Sequence, residues 1–566
     1  MGGKSIYRSK KRKFHGNRHS SSNQAACSVD VSSTQNKTCS EKKLLNSQQH
    51  LNDLVDLNKE QLSGFRIIDL EILVSVFTLL YCPVCFTDNL YLVEDSTFGL
   101  CSNFCLRCKN CSFTKGFASS KKQDTSNEIN TRLVCALRLI GKGFSAGKKF
   151  CAALNFPSFL SKKAFRMQEL KLIRAAGTVA ENSMNKAAAV IKENKKNDAI
   201  IKCGVSVDGT WQRRGFSSLN GVVSAISVTC GKVLDIEVMS QFCKHCHTKK
   251  LSSSRASKHQ CANHKGSSGN MEVVGAYRIF ERSESSRKLL YSEYYGDGDS
   301  KGYDAVRDIY GKDSVLKLEC IGHVQKRVGT RLRKLKASNK ALGGKGKLTD
   351  TFINKLQNYY GIAIRDNVGN LLQMQSATIA AFAHSCSSAK HPMHRQCPEG
   401  KDSWCRYQRA ISCGQKFKEC STGLPQNIIK IIQPTYMQLC DQNLLKKCLH
   451  GRTQNANESF NNLLWTIVPK NTFVELQTLR FGASITLIIF NDGFHGLLEI
   501  FHELGIVPGE YTLRHFLTLD NERIVTSKRQ SLTVTKVARK KLRAFKKRKS
   551  DKIVNKEGVS YKCGEF

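Results

Sequence analysis

Between residues 198 and 323 the chain alternates apolar and polar positions in a consistent order. Ala199–Asp208 (AIIKCGVSVD), Asn220–Thr229 (NGVVSAISVT) and Lys232–Val238 (KVLDIEV) carry the Val- and Ile-rich pattern of three successive strands, joined by short glycine-containing links. The period then lengthens. Asn270–Glu281 (NMEVVGAYRIFE) predicts a helix, Leu289–Tyr295 a fourth strand, Gly302–Tyr310 a helix and Ser314–Glu319 a fifth strand. Beyond them Val324, Val328, Leu332 and Leu335 recur at spacings of four, four and three, which puts one apolar stripe on a helix. Residues 350–385 and 425–450 also read as helical, and 386–405 as a loop.

Three antiparallel strands, a crossover helix, then strand, helix and strand is the element order of an RNase H-like sheet. The predicted fold class is therefore α/β, an RNase H-like mixed sheet with a helical insertion, preceded by a small zinc-ribbon domain. The expected organisation is a disordered basic tail over 1–50, a zinc-ribbon-like domain over 51–125 and a helical DNA-binding or linker region over 126–197. The first part of the core follows over 198–323, with a zinc loop at 243–264. A mostly helical insertion (324–450), core completion (451–510) and a basic tail (511–566) finish the chain. Apolar runs such as Ile72–Tyr81 and Phe481–Phe490 are ten residues long, well short of the roughly 18 to 20 a membrane span needs. No membrane partner is expected.

Charge narrows the function. The 566 residues hold 89 Lys plus Arg against 46 Asp plus Glu, a formal net charge of +43 and a pI near 9.6. Small-molecule metabolism does not call for such an excess; neutralising phosphates on a nucleic acid does. Residues 1–20 carry seven basic side chains and no acid, and residues 528–552 carry twelve against Asp551 alone. KKRK stands at 10–13 and again at 546–549, short clusters of the nuclear-import type, and the N-terminus has no apolar secretory core. The expected location is the nucleus. Cys320–Lys347 holds nine basic residues and no acidic one, and on its helix Lys326, Arg327, Arg331, Arg333 and Lys334 are the candidate DNA contacts.

In a reducing compartment the 24 cysteines read as metal ligands before disulfides. Cys82-Pro-Val-Cys85 and Cys108-Lys-Asn-Cys111 are two knuckles 22 residues apart, a spacing that suits tetrahedral Zn2+; Cys105 with Cys108 is an alternative second pair. Cys243-Lys-His-Cys246 and Cys261-Ala-Asn-His264 make a Cys3His set, with His247 and His259 as substitutes. His391, His394, Cys397 and Cys405 supply ligand types without a repeated knuckle, against the plainer reading of polar loop residues. Four protein ligands leave no open position, so such zinc is structural.

The acidic residues carry the reaction chemistry. Asp208 is expected to end the first strand before Gly209, while Asp297 and Asp299 follow the fourth in GDGDS, with Asp299 the rival of Asp297. Glu458 sits in an apparent helix among Asn457, Asn461 and Asn462. Two Asp and one Glu converging would suit a pair of Mg2+ (or Mn2+) ions, hard cations that take oxygen ligands and serve in-line displacement at phosphorus. The plainer reading of an acid at a strand end is a cap.

VDGTW at 207–211, YYGDGDS at 294–300, CIGH at 320–323 and TQNANESFNNLLW at 453–465 together resemble the transposase domain of the Mutator-like superfamily of DNA transposases, over roughly 65–510. The resemblance implies a DDE triad at Asp208, Asp297 and Glu458, a CxxH motif at Cys320 and His323, and a helical insertion ahead of the Glu. It also implies metal-dependent strand hydrolysis and strand transfer at transposon ends, with terminal repeats and target DNA as partners and a homodimer or larger synaptic assembly. The alternative is a domesticated, catalytically silent zinc-containing DNA-binding protein derived from a transposase.

Overall fold

A computed structural model describes residues 37–44, 63–123, 126–157, 159–193, 201–212, 218–243, 246, 263–296, 301–419, 423–539 and 541–545. Both KKRK clusters, His247, His259, Cys261, Asp297 and Asp299 lie outside the described residues.

Helix α1 (Leu70–Phe77) precedes a three-stranded antiparallel ribbon of β1 (Leu90–Phe98), β2 (Cys101–Cys108) and β3 (Thr114–Ala118). The β1–β2 turn is pinned to helix α2 (Glu128–Leu139) by one side chain. Asn130 donates to Phe98 O at 2.7 Å and accepts from Leu100 N at 3.0 Å. Gly99 stands between them at φ +61°, where a Cβ would meet Asn130 Oδ1 at 2.5 Å, so both conformation and space require glycine there.

The central sheet contains β4 (Lys202–Gln212), β5 (Asn220–Ser227), β6 (Val233–Ser240), β7 (Leu290–Gly296) and β8 (Leu316–Glu319), ordered β8-β7-β4-β5-β6. β4, β5 and β6 are antiparallel neighbours, whereas β7 pairs parallel with both β4 and β8. The longer helices that follow α2 are α3 (Lys162–Glu193), α4 (Asn270–Glu281), α5 (Ile321–Ser338), α6 (Asp350–Asp366), α7 (Leu371–Cys386), α8 (Gln426–Met437), α9 (Asn455–Ile467), α10 (Leu476–Asp492) and α11 (Glu510–Ser531).

Alternation splits the sheet between two cores. Val205 and Val207 of β4 join Val223 and Ala225 of β5 beneath α4, whose Met271, Ala276, Ile279 and Phe280 are fully buried. Val222 and Ile226 face the opposite way, into a core made by α3, α9 and α10. Helix α3 thus belongs to the covering layer of the sheet. Among the described residues no helix is long and apolar enough to cross a membrane.

Several elements depart from the sequence pattern. β4 does not end at Asp208: Gly209 pairs with Val223 and Trp211 with Gly221, so Asp208 lies within the strand. Gly209 makes room for a ring, not a turn, since a Cβ there would sit 2.7 Å from the Trp211 indole. The helix expected over 302–310 is confined to Lys301–Asp304, and the stretch after it is held in turns by Tyr310 N to Ser314 Oγ and Asp313 N to Asp308 Oδ1 bonds. The run 350–385 divides into α6 and α7 around Gly369, which adopts φ +83° and donates to Leu449 O at 3.0 Å. Residues 511–531 form helix α11, docked through buried Asp520, which accepts from the backbone N–H groups of Phe494 and His495 at 2.7 and 3.1 Å.

The insertion has its own core, in which Val324, Val328 and Leu332 of α5 meet apolar residues of α6, α7 and α8. It departs and returns at one place. Ile321 N donates to Arg452 O at 3.2 Å, and Gln454 N to Cys320 Sγ at 3.4 Å.

Candidate catalytic face and metal clusters

Because β4 alternates, Ser206, Asp208 and Thr210 share the face opposite Val205 and Val207. Helix α9 lies across that face. Gln454 donates to Val207 O at 2.9 Å, Asn457 to Ser206 O at 3.1 Å, Asn461 to Asp208 Oδ2 at 2.8 Å and Trp465 to Thr210 Oγ1 at 2.7 Å. The spacings of three, four and four keep these side chains on one side of the helix. Glu458 stands three residues before Asn461 and four after Gln454, at the solvent edge of this seam, and is exposed. Asp208 is half-buried.

This neighbourhood suits a hard cation. Along the seam stand the Asp208 carboxylate and the buried Oδ1 of Asn461, which meets no hydrogen-bond donor among the described residues, and both are oxygen donors of the type that hard cations take. β7 ends at Gly296, one residue before Asp297.

The CxxH motif occupies the junction between sheet and insertion. Cys320 is buried and is the residue before α5; its backbone N–H donates to Gly296 O at 3.4 Å while its sulfur accepts from Gln454 N. His323 is half-buried in the first turn of α5. The motif thus stitches the end of β7 to the start of the Glu458 helix.

The five candidate DNA contacts on α5 divide into two groups. Arg327 is committed to buried Glu319 at 2.5 Å, and Arg333 to Asn354 and, at 3.5 Å, to Asp350, so these two are partnered within the protein. Arg331 reaches Gln438 Oε1 at 3.3 Å but stays exposed, and Lys326 and Lys334 are exposed. Members of this second group make no ion pair among the described residues and face outward, as an anion contact would.

Two thiol clusters are assembled among the described residues. In the ribbon Cys82, Cys85, Cys108 and Cys111 converge, with Cys82···Cys111 and Cys85···Cys108 sulfur pairs each at 3.5 Å. Backbone N–H groups of Val84 and Asn110 donate to Cys82 and Cys108 at 3.5 and 3.3 Å. Cys105, the alternative ligand, is turned away and accepts from Arg107 Nε. Cys108 and Cys111 do not ionise alike. Burial raises Cys108, but backbone N–H groups of Asn110 and Cys111, together with the Cys85 and Cys82 thiols, draw it down to about 6. Cys111 has the backbone of Phe113 in its favour, yet burial and the other three thiols push it up to about 12. A tetrathiolate in this space needs a cation, and a divalent soft-tolerant ion such as Zn2+ fits.

The second cluster joins His394, Cys397 and Cys405 with His384, not with His391. His391 is exposed, in a tight turn closed by reciprocal 3.1 Å bonds between the backbones of Ser388 and His391. His384 lies in the last turn of α7, where an isolated histidine inside an apolar helix gave no spacing signal. In the loop after β6, Cys243 and Cys246 are half-buried, and His264 is buried with Nε2 3.2 Å from Ser267 O; with Cys261 outside the described residues, this set is not seen complete.

A sequence profile described as Mutator-like transposase matches residues 64–405, more than half of the chain. The chain belongs to the Mutator-like transposase family. Membership makes DNA the partner for which its excess of positive charge is suited. The match takes in the ribbon, the sheet through β8, the CxxH motif and the first part of the insertion, and it stops before Glu458. No curated protein matches the chain in a sequence comparison.

Proposed function

We propose that this Mutator-like family member is an active DDE transposase. Asp208, Asp297 and Glu458 would hold Mg2+ or Mn2+; water cleaves a phosphodiester at the transposon end and frees a 3′-hydroxyl, which then attacks a target phosphodiester as that strand's own 3′ oxygen leaves. The observation that carries the reading is the 2.8 Å bond from Asn461 to Asp208, which sets the Glu458 helix directly over the Asp208 strand. The strand order β8-β7-β4-β5-β6, with three antiparallel strands extended by two parallel ones, supports an RNase H-like core. Ser206 pairs with Tyr295, and Asp208 and Asp297 each stand two residues further along the sequence.

In this scheme Asn461 orients the Asp208 carboxylate, and Gln454 and Asn457 lock α9 to the sheet so that Glu458 stays at its edge. The ions, when bound, would supply electrostatic stabilisation at phosphorus and activate the attacking oxygen. Exposed Lys326, Arg331 and Lys334 hold phosphates of the DNA, and the ribbon binds structural Zn2+. The protein works in the nucleus, as a homodimer or larger synaptic assembly. The alternative reading, a silent DNA-binding derivative, draws on the family match ending before Glu458.

The deciding experiment incubates purified protein with supercoiled DNA carrying the terminal repeats of its own element and Mg2+ or Mn2+. Strand cleavage and joining by wild type, lost in Asp208→Asn and Glu458→Gln while DNA binding persists, is the expected result. Binding without cleavage under every condition would establish the silent derivative. Asp297→Asn and Asp299→Asn, compared in the same assay, identify which of the pair is required.

A further inference from the structure

We propose that His384, His394, Cys397 and Cys405 form a closed structural zinc centre inside the helical insertion, separate from the ribbon and independent of the catalytic reading. Its ligands are the two Nδ1 atoms and the two sulfurs. His384 Nδ1 and His394 Nδ1 are 3.2 Å apart, Cys405 Sγ is 3.6 Å from His394 Nδ1, and Cys397 Sγ and Cys405 Sγ are each 3.7 Å from His384 Nδ1. Zn–N bonds of about 2.0–2.1 Å and Zn–S bonds of about 2.3 Å, arranged tetrahedrally, give ligand separations of roughly 3.3 Å for N···N and 3.6 Å for N···S. The observed edges match those of an occupied tetrahedron.

The surroundings orient the ligands. His394 turns its other nitrogen, Nε2, to Glu419 Oε2 at 2.9 Å and Ser387 Oγ at 3.0 Å. A proton held on Nε2 by that carboxylate leaves the Nδ1 lone pair directed at the cluster, the arrangement found behind zinc-binding histidines. His394, Cys397 and Cys405 are at most 4% exposed. The Trp404 ring meets His384 edge-on at 4.9 Å, and Tyr407 stacks on His394 at 4.7 Å. With four protein ligands and aromatic cover the centre has no position for a substrate, so it is structural. It fastens the long excursion 387–419 to the end of α7. Both histidines and Glu419 also line a cavity of about 920 Å³, so the ion fixes one wall of it.

The test uses the full chain purified without chelator. Metal analysis should show about one Zn2+ fewer per chain in His384→Ala than in wild type and no loss in His391→Ala, whose side chain is exposed. Glu419→Gln, which keeps the ligands, should retain this zinc roughly 10- to 100-fold less tightly in chelator competition. Alkylation followed by peptide mapping gives a readout on wild type itself. Exposed Cys413 should react from the start, and Cys397 and Cys405 only after the zinc is withdrawn. Equal zinc in wild type and His384→Ala, or alkylation of Cys397 and Cys405 unaffected by zinc removal, would overturn the assignment.

Discussion

The ribbon and the helical insertion each gather four metal-ligating side chains, yet they stand on different foundations. The buried apolar cluster beneath the ribbon site consists of Cys82, Leu90 and Cys108, so two of its three members are themselves candidate ligands. The insertion buries Ile321, Val328, Leu356, Ile364, Ile432, Tyr436 and many more, and its ligands sit at the rim of that core. A domain too small to bury enough apolar surface depends on its ion for folding; a domain with a full core uses the ion to fix a loop.

The largest effect is expected in the ribbon. Cys82→Ser should abolish amide-exchange protection across 90–118 and leave that of α5–α8 unchanged; a ribbon that stays protected without metal would end the contrast. Next is Ile432→Ala, at a fully buried position of α8. It should destabilise the insertion by about 2–5 kcal/mol in denaturant unfolding without altering zinc content, and a parallel loss of zinc would show that core and metal are not separable. Arg327→Ala, which strands buried Glu319, is expected to cost about 2 kcal/mol, reduced from the range for a fully buried pair because the arginine is partly exposed. The smallest change in stability belongs to Lys326→Ala with Lys334→Ala, within about 0.5 kcal/mol. DNA affinity should nonetheless fall and its dependence on log salt flatten by about 0.9 for each phosphate contact removed. An unchanged salt slope would take this face of α5 out of the DNA path.

The sequence revealed most where a pattern was local. Period-two alternation located all five strands of the sheet, and the two ribbon knuckles named four cysteines that the fold gathers. Where the chain meets itself at a distance the signal failed. His384 joins its cluster only because the excursion after α7 folds back, whereas His391, nearer to His394 in sequence, is carried outward by a tight turn. Composition showed nine basic residues around α5 but not that Arg327 is engaged by buried Glu319 and Arg333 by Asn354 and Asp350 on the surface. The Asn-rich stretch around Glu458 was visible; its register on β4 was not, because that depends on which face of the strand carries Ser206, Asp208 and Thr210.

The bonds from Ile321 to Arg452 and from Gln454 to Cys320 have a bearing on inheritance. An excursion whose two ends are fastened side by side imposes no span on the sheet it leaves. Helices between those ends can be gained, lost or exchanged without moving Asp208 relative to Glu458, since closing a longer flexible loop costs only about 0.6 kcal/mol per doubling of length. The seam therefore leaves the middle of the chain free to change in length and sequence while the register of α9 on β4 is kept.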